Sequence, residues 1–158
     1  MEVGLKVELL EVFKNLNSFI EEENRIAKEE GSMPISPQVI QIVGQTALIL
    51  AELPFPDTAT MDLDVISRLN HAVSKKLSEL LLEKGLRLET DGHLIWMPKT
   101  TEYATIAEFS YVKVCVAKTE FVVASKFKFK RLKDEKLIKT YLEYFPETRE
   151  QIRTLSGK

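Results

Sequence analysis

Thr60-Met61-Asp62-Leu63-Asp64-Val65-Ile66 alternates apolar Met61, Leu63 and Val65 with acidic Asp62 and Asp64. A repeat of two marks a half-buried strand, so the stretch predicts a strand with both carboxylates on one face. Side chains two positions apart on a strand stand roughly 7 Å from each other. Two unit charges at that distance repel by roughly 2 kcal/mol at an effective dielectric near 20. A divalent cation between the carboxylates would offset that repulsion. Hard oxygen ligands of this kind suit Mg2+, which keeps waters and shares itself with substrate phosphates. The alternative is that both acids face water at the edge of a sheet.

On the N-terminal side of this strand, Val39-Ile40-Gln41-Ile42-Val43 is short, β-branched and bounded by Gly44, and predicts a buried strand. Gly44-Gln45-Thr46 then turns the chain into a buried helix from Ala47 to Leu53. A glycine between strand and helix allows close backbone approach to a ligand, and the helix start offers unpaired N–H groups to a phosphate. The same glycine also serves as a plain tight turn. Leu53-Pro54-Phe55-Pro56-Asp57 predicts a loop, forced by its two prolines. Further back, Leu9, Val12, Phe13, Leu16, Phe19 and Ile20 recur at three- and four-residue steps, predicting a long amphipathic helix from Leu5 to about Lys28 that Gly31 and Pro34 to Pro37 end.

On the C-terminal side, Leu69, Val73, Leu77, Leu80 and Leu81 predict a helix stopped at Gly85, with His71 on its surface. Leu86 to Thr90 and His93 to Met97 read as two strands of a hairpin turned at Asp91-Gly92. Trp96 would either stack on a base or fill the core, the area it buries favouring the core. Ser110 to Val116 alternates and puts Val112, Val114 and Val116 on a core face. A helix from Phe121 to about Lys130 follows, with Thr119-Glu120 at its start. Lys126-Phe127-Lys128-Phe129-Lys130-Arg131 interleaves basic and aromatic residues. It reads either as a patch for triphosphate or nucleic acid or as a helix end whose cations favour the dipole. Leu137, Ile138, Tyr141, Leu142 and Phe145 predict another helix, and Pro146 opens a short last one before a mobile Ser156-Gly157-Lys158 tail.

The whole chain bounds these readings. Its 158 residues suit a single domain with a real core, comprising a helix over 1–30, a body over 38–145 and a C-terminal helix and tail over 146–158. A net charge of −2 with both signs interspersed gives no general attraction to nucleic acid or membrane. Cys115, the one cysteine, lies in an apolar alternating run and reads as a small buried residue. The longest apolar run, Ala47 to Ala51, falls far short of a membrane span, and the expected location is the cytoplasm.

Gly44-Gln45-Thr46-Ala47-Leu48 followed by Ala59-Thr60-Met61-Asp62-Leu63-Asp64 resembles the G-G-x-A-L and R-x-T-x-D-h-D signatures of minimal nucleotidyltransferase-like proteins related to the AbiEii abortive-infection toxins. Trp96-Met97-Pro98 with Glu102 after it, and Ala124-Ser125-Lys126 followed by Lys133-Asp134, extend the resemblance over roughly residues 38 to 145. Gln45 stands where those proteins have a second Gly or Ser, and Thr58 where an Arg is usual.

The resemblance implies an α+β fold, a nucleotidyltransferase-like small mixed sheet flanked by helices. It implies Mg2+ on Asp62 and Asp64, nucleotide contacts from Gly44, Gln45, Thr60 and Lys126, and a third acid. Glu108, between Ala107 and Phe109, is the best formal match to that acid, ahead of Glu89 and Asp91. The implied activity moves a nucleoside monophosphate from an NTP to a hydroxyl of a protein, RNA or small molecule. The alternative is a degenerate member that keeps the fold as a nucleotide-binding or protein-interaction module.

Overall fold

The computed structural model describes residues 4–55, 60–89, 94–129 and 131–157. Within them the chain is α+β, with six α-helices and one five-stranded mixed sheet. The helices are α1 (Leu5–Glu30), α2 (Gly44–Leu50), α3 (His71–Glu83), α4 (Thr119–Phe129), α5 (Leu132–Tyr144) and α6 (Arg149–Leu155). The strands are β1 (Gln38–Val43), β2 (Asp62–Val65), β3 (Arg87–Glu89), β4 (Tyr103–Glu108) and β5 (Val112–Ala117), ordered β3-β2-β1-β5-β4 across the sheet. The β1–β5 and β2–β3 pairs are parallel, and β1–β2 and β4–β5 are antiparallel. Among the described residues no helix is long and apolar enough to cross a membrane.

Register assigns the faces. Leu63 and Val65 share one face with Ile40 and Ile42 of β1 and with Val112, Val114 and Val116 of β5, and all seven are buried. Val43, Cys115 and Ala117 are buried on the other face, so the middle of the sheet is covered on both sides. α1 closes the sheet with Leu9, Val12, Phe13, Leu16 and Ile20, each at most 1% exposed. Its buried Asn17 accepts the Tyr111 N–H at 2.7 Å and so ties the helix to the start of β5. The helix ends at Gly31, whose left-handed backbone (φ 70°) closes the last turn. α3 packs on α1 and β3. Asn70 caps α3, its side chain accepting the N–H groups of Ala72 and Val73. Asn70→Ala is expected to lower unfolding stability by about 1 kcal/mol, read from a denaturant midpoint, because two helix-start donors lose their acceptor.

The structure departs from the sequence reading at several points. The hairpin around Trp96 does not form: β3 pairs in parallel with β2, and Leu94 to Met97 belong to no strand. The segment passes instead from one rim of the sheet toward the other, and its Trp96 carbonyl accepts a hydrogen bond from the Ser125 hydroxyl of α4. The turn expected at Asp91-Gly92 lies outside the described residues, as do Thr58 and Lys130. β4, a strand the local pattern does not announce, fills the far rim, with a bulge between Thr105 and Ala107. The chain end is anchored at Ser156, which is fully buried and donates to the Arg153 carbonyl.

Candidate functional site

The face opposite Leu63 and Val65 carries Asp62 and Asp64, both half-buried. Parallel register sets Arg87 beside Asp62 and Glu89 beside Asp64 on that same face. An acid wall of Asp62, Asp64 and Glu89 therefore lines one side of a cleft of about 1030 Å3. α4 and α5 build the other side with Ser125, Lys126, Phe129, Lys133, Asp134 and Leu137, together with Arg131 between the helices. Leu94, Ile95 and Trp96 line the cleft from the crossing segment.

Gly44 fixes how closely the backbone approaches the acids. Its φ is +71°, and a Cβ built on it would lie 2.3 Å from Asp64 Oδ2. Only glycine accommodates both the left-handed backbone and that approach. The helix that follows begins at Gly44 itself and has seven residues, ending at Leu50 rather than Leu53. At that length its dipole is a minor contributor; what Gly44 supplies is proximity to Asp64. Thr46, 3% exposed, donates its hydroxyl to the Asp62 carbonyl at 2.8 Å and pins the first turn of α2 onto β2. Thr60 accepts the Asp62 N–H at 3.2 Å and lines the cleft alongside Gln45.

The opposite wall is held by one carboxylate. Asp134, with 5% of its side chain exposed, accepts from Lys126 Nζ at 3.2 Å and from Arg131 Nε at 2.9 Å. Lys126 is itself 9% exposed, so this is a nearly dry ion pair extended outward to a guanidinium. Lys128 lies over the Trp96 ring, 4.4 Å from its centre, with Phe129 edge-on to the same ring at 6.3 Å. The interleaved basic and aromatic residues thus divide their work: Lys126 joins the cleft and Lys128 holds Trp96.

Asp64 titrates above the ordinary carboxylate range, because burial raises it and the charges of Glu89 and Asp62 raise it further, against Lys126 and Lys133 across the cleft. Asp62 has a cation at hand, its Oδ1 lying 3.1 Å from Arg87 Nη2. Among the described residues no three His, Cys, Asp or Glu side chains gather into a metal-holding group. Asp62 and Asp64 as a two-carboxylate hard-oxygen set still fit Mg2+ of the kind that completes its shell with water and phosphate.

The site residues expected from the sequence divide cleanly. Gly44, Gln45, Thr60, Asp62, Asp64 and Lys126 come together around one cleft. Glu108 does not: it lies on β4, paired with Lys113, with β5 and β1 between it and β2. At about 4.8 Å per strand that separation is roughly 14 Å. Glu89 is the acid that shares the wall. Its signal in the sequence is only Leu88-Glu89 at a strand end, whereas its place beside Asp64 comes from pairing. Thr46 and Asp134 stand in the stretches that carry the resemblance, but their contacts, to the Asp62 carbonyl and to Lys126 and Arg131, come from the fold. Comparison of the chain with models of known protein families, with curated proteins and with solved structures finds no match.

Proposed function

We propose that the cleft binds a nucleoside triphosphate together with Mg2+ and transfers its nucleoside monophosphate to a hydroxyl acceptor, as nucleotidyltransferases do. The observation that carries this reading is the gathering of Asp62, Asp64 and Glu89 with Lys126, Arg131 and Lys133 around one cleft, where Lys126 and Lys133 act on Asp64. A triphosphate with its cation is a ligand of alternating charge and suits such walls. Mg2+, when bound, would neutralise phosphate charge, and Asp62 and Asp64 are the residues that would hold it. Gly44 leaves the backbone open beside Asp64. Lys126 and Lys133 face the leaving pyrophosphate as the bond from the acceptor oxygen to the α-phosphorus forms and the bond to pyrophosphate breaks. Glu89 is the carboxylate placed to orient the acceptor and take its proton. Leu94, Trp96 and Phe129 offer apolar surface for a base.

A second reading, binding without transfer, is favoured by the lack of a gathered three-acid group among the described residues. One set of measurements separates the two. Calorimetric titration with ATP, GTP, CTP and UTP, with and without Mg2+, should show magnesium-dependent binding that Asp62→Asn/Asp64→Asn abolishes. Pyrophosphate release then marks transfer, and its absence marks a binding module. No binding by a folded protein would reject both.

The same acids carry a stability consequence. Because Asp64 titrates high in the folded chain, acidification protonates it there before it protonates in the unfolded chain. This site therefore adds stability as pH falls through its raised value and costs stability above it, opposite in sign to a salt-bridged acid. At neutral pH Asp64→Asn should raise the thermal unfolding midpoint, because it removes the charge that burial and the neighbouring acids disfavour. Thermal unfolding checks it: a more stable protein that no longer binds nucleotide is the expected pairing.

A further inference from the structure

The two aspartates of the acid wall sit in unlike surroundings. Asp64 has the Gly44 backbone against it and its nearest like charges on Glu89 and Asp62. Asp62 has Arg87 Nη2 at 3.1 Å from Oδ1, brought there by the β2–β3 register rather than by a flexible loop. The pair is an open one, Arg87 being 70% and Asp62 42% exposed, so it exchanges readily with solvent and with other ions. A guanidinium held on one oxygen of a carboxylate repels a divalent cation approaching that carboxylate, so the cation binds less tightly while the arginine stays in place.

On the reading that this cleft takes a metal with a nucleotide, we infer that Arg87 and the divalent cation compete for Asp62. Arg87 thereby weakens the site for free metal and favours metal that arrives with an anionic ligand. Such a ligand gives the displaced guanidinium a new acceptor, and phosphate oxygens match its planar fork. Arg87 is then a positioning residue that sets the order of binding: metal and triphosphate together, rather than metal first.

The test uses Mn2+ as the probe, followed by the loss of its free-ion electron paramagnetic resonance signal and by calorimetry, with and without ATP. The proteins are wild type, Arg87→Ala, Arg87→Lys and Arg25→Ala, the last removing an equal charge from the exposed surface of α1. Arg87→Ala should bind Mn2+ alone roughly three- to tenfold more tightly and Mn2+ with ATP roughly tenfold more weakly. Arg87→Lys should fall between wild type and Arg87→Ala, and Arg25→Ala should move neither constant. Opposite signs for the two ligands are what a merely structural arginine would not produce. If both constants move together, or neither moves, the competition is overturned while the nucleotide reading stands. If folded wild-type protein fails to bind Mn2+ with ATP, the nucleotide reading falls and takes this inference with it.

Discussion

Asp134→Ala is expected to lower unfolding stability by about 3–5 kcal/mol, the range for removing one partner of a buried ion pair. The ammonium of Lys126, 9% exposed, would keep its burial and lose its carboxylate, and Arg131 would lose its anchor as well. For a chain of this size that loss corresponds to a fall in melting temperature of roughly 6–20 °C, measurable by circular dichroism. The cost belongs to the orphaned charge and not to the pair as such. Replacing both partners by apolar residues of similar size, Lys126→Met with Asp134→Leu, should therefore recover most of the stability. That double variant should still bind nucleotide more weakly than wild type, because the cleft has lost Lys126 and keeps only Lys133 of the two lysines that act on Asp64. A double variant as unstable as Asp134→Ala would show that packing, rather than charge, is what Asp134 supplies.

Gly44→Ala should cost about 2–3 kcal/mol and reduce magnesium-dependent nucleotide binding by more than tenfold. Two effects combine. A non-glycine residue at φ +71° carries about 1–2 kcal/mol of backbone strain. The new methyl would also meet Asp64 Oδ2 at 2.3 Å, and since the neighbouring Asp64 Cγ would be 3.2 Å away, the whole carboxylate must swing aside. Gly31→Ala separates the two. Gly31 has nearly the same backbone angle, φ +70°, but nothing lies within 4 Å of its added Cβ. It should show the strain alone, with binding unchanged. Equal binding losses in both variants would mean that Gly44 acts through the fold and not through Asp64.

How far the sequence reveals this molecule depends on whether a feature is set locally or by pairing. The alternation from Met61 to Val65 and the three- and four-residue steps of α1 are local, and both elements stand where the pattern places them. The Asp91-Gly92 signal is also local, yet it suggests a hairpin that Trp96 does not join. The carbonyl and ring of Trp96 are engaged by Ser125, Lys128 and Phe129, contacts between residues about 30 positions apart. β4 escapes notice for a related reason. Its bulge at Thr105 and Ala107 breaks the two-residue repeat, and its residues are only partly covered, so apolar and polar positions do not sort. The acid that stands beside Asp64 is the clearest case. Glu108 has the better flanking residues, but a parallel pairing of β3 with β2 brings Glu89 to Asp64, and no local pattern encodes that register.

The central pairing of the sheet has a consequence for how the cleft comes into being. β1 and β5 lie side by side in parallel, Gln38 against Val112 and Ile42 against Val116, with α2, β2, α3, β3 and β4 all contained in the chain between them. The closure entropy of that long excursion must be met before the middle of the sheet can zip, which places folding among slow, non-local topologies. The two rims of the sheet, β3 and β4, each have a strand neighbour on one side only among the described residues. On the acid side the rim strand is the one bearing Arg87 and Glu89. The acid side of the cleft is thus bounded by a rim strand of three residues, whereas its other lining comes from helices of eleven and thirteen residues.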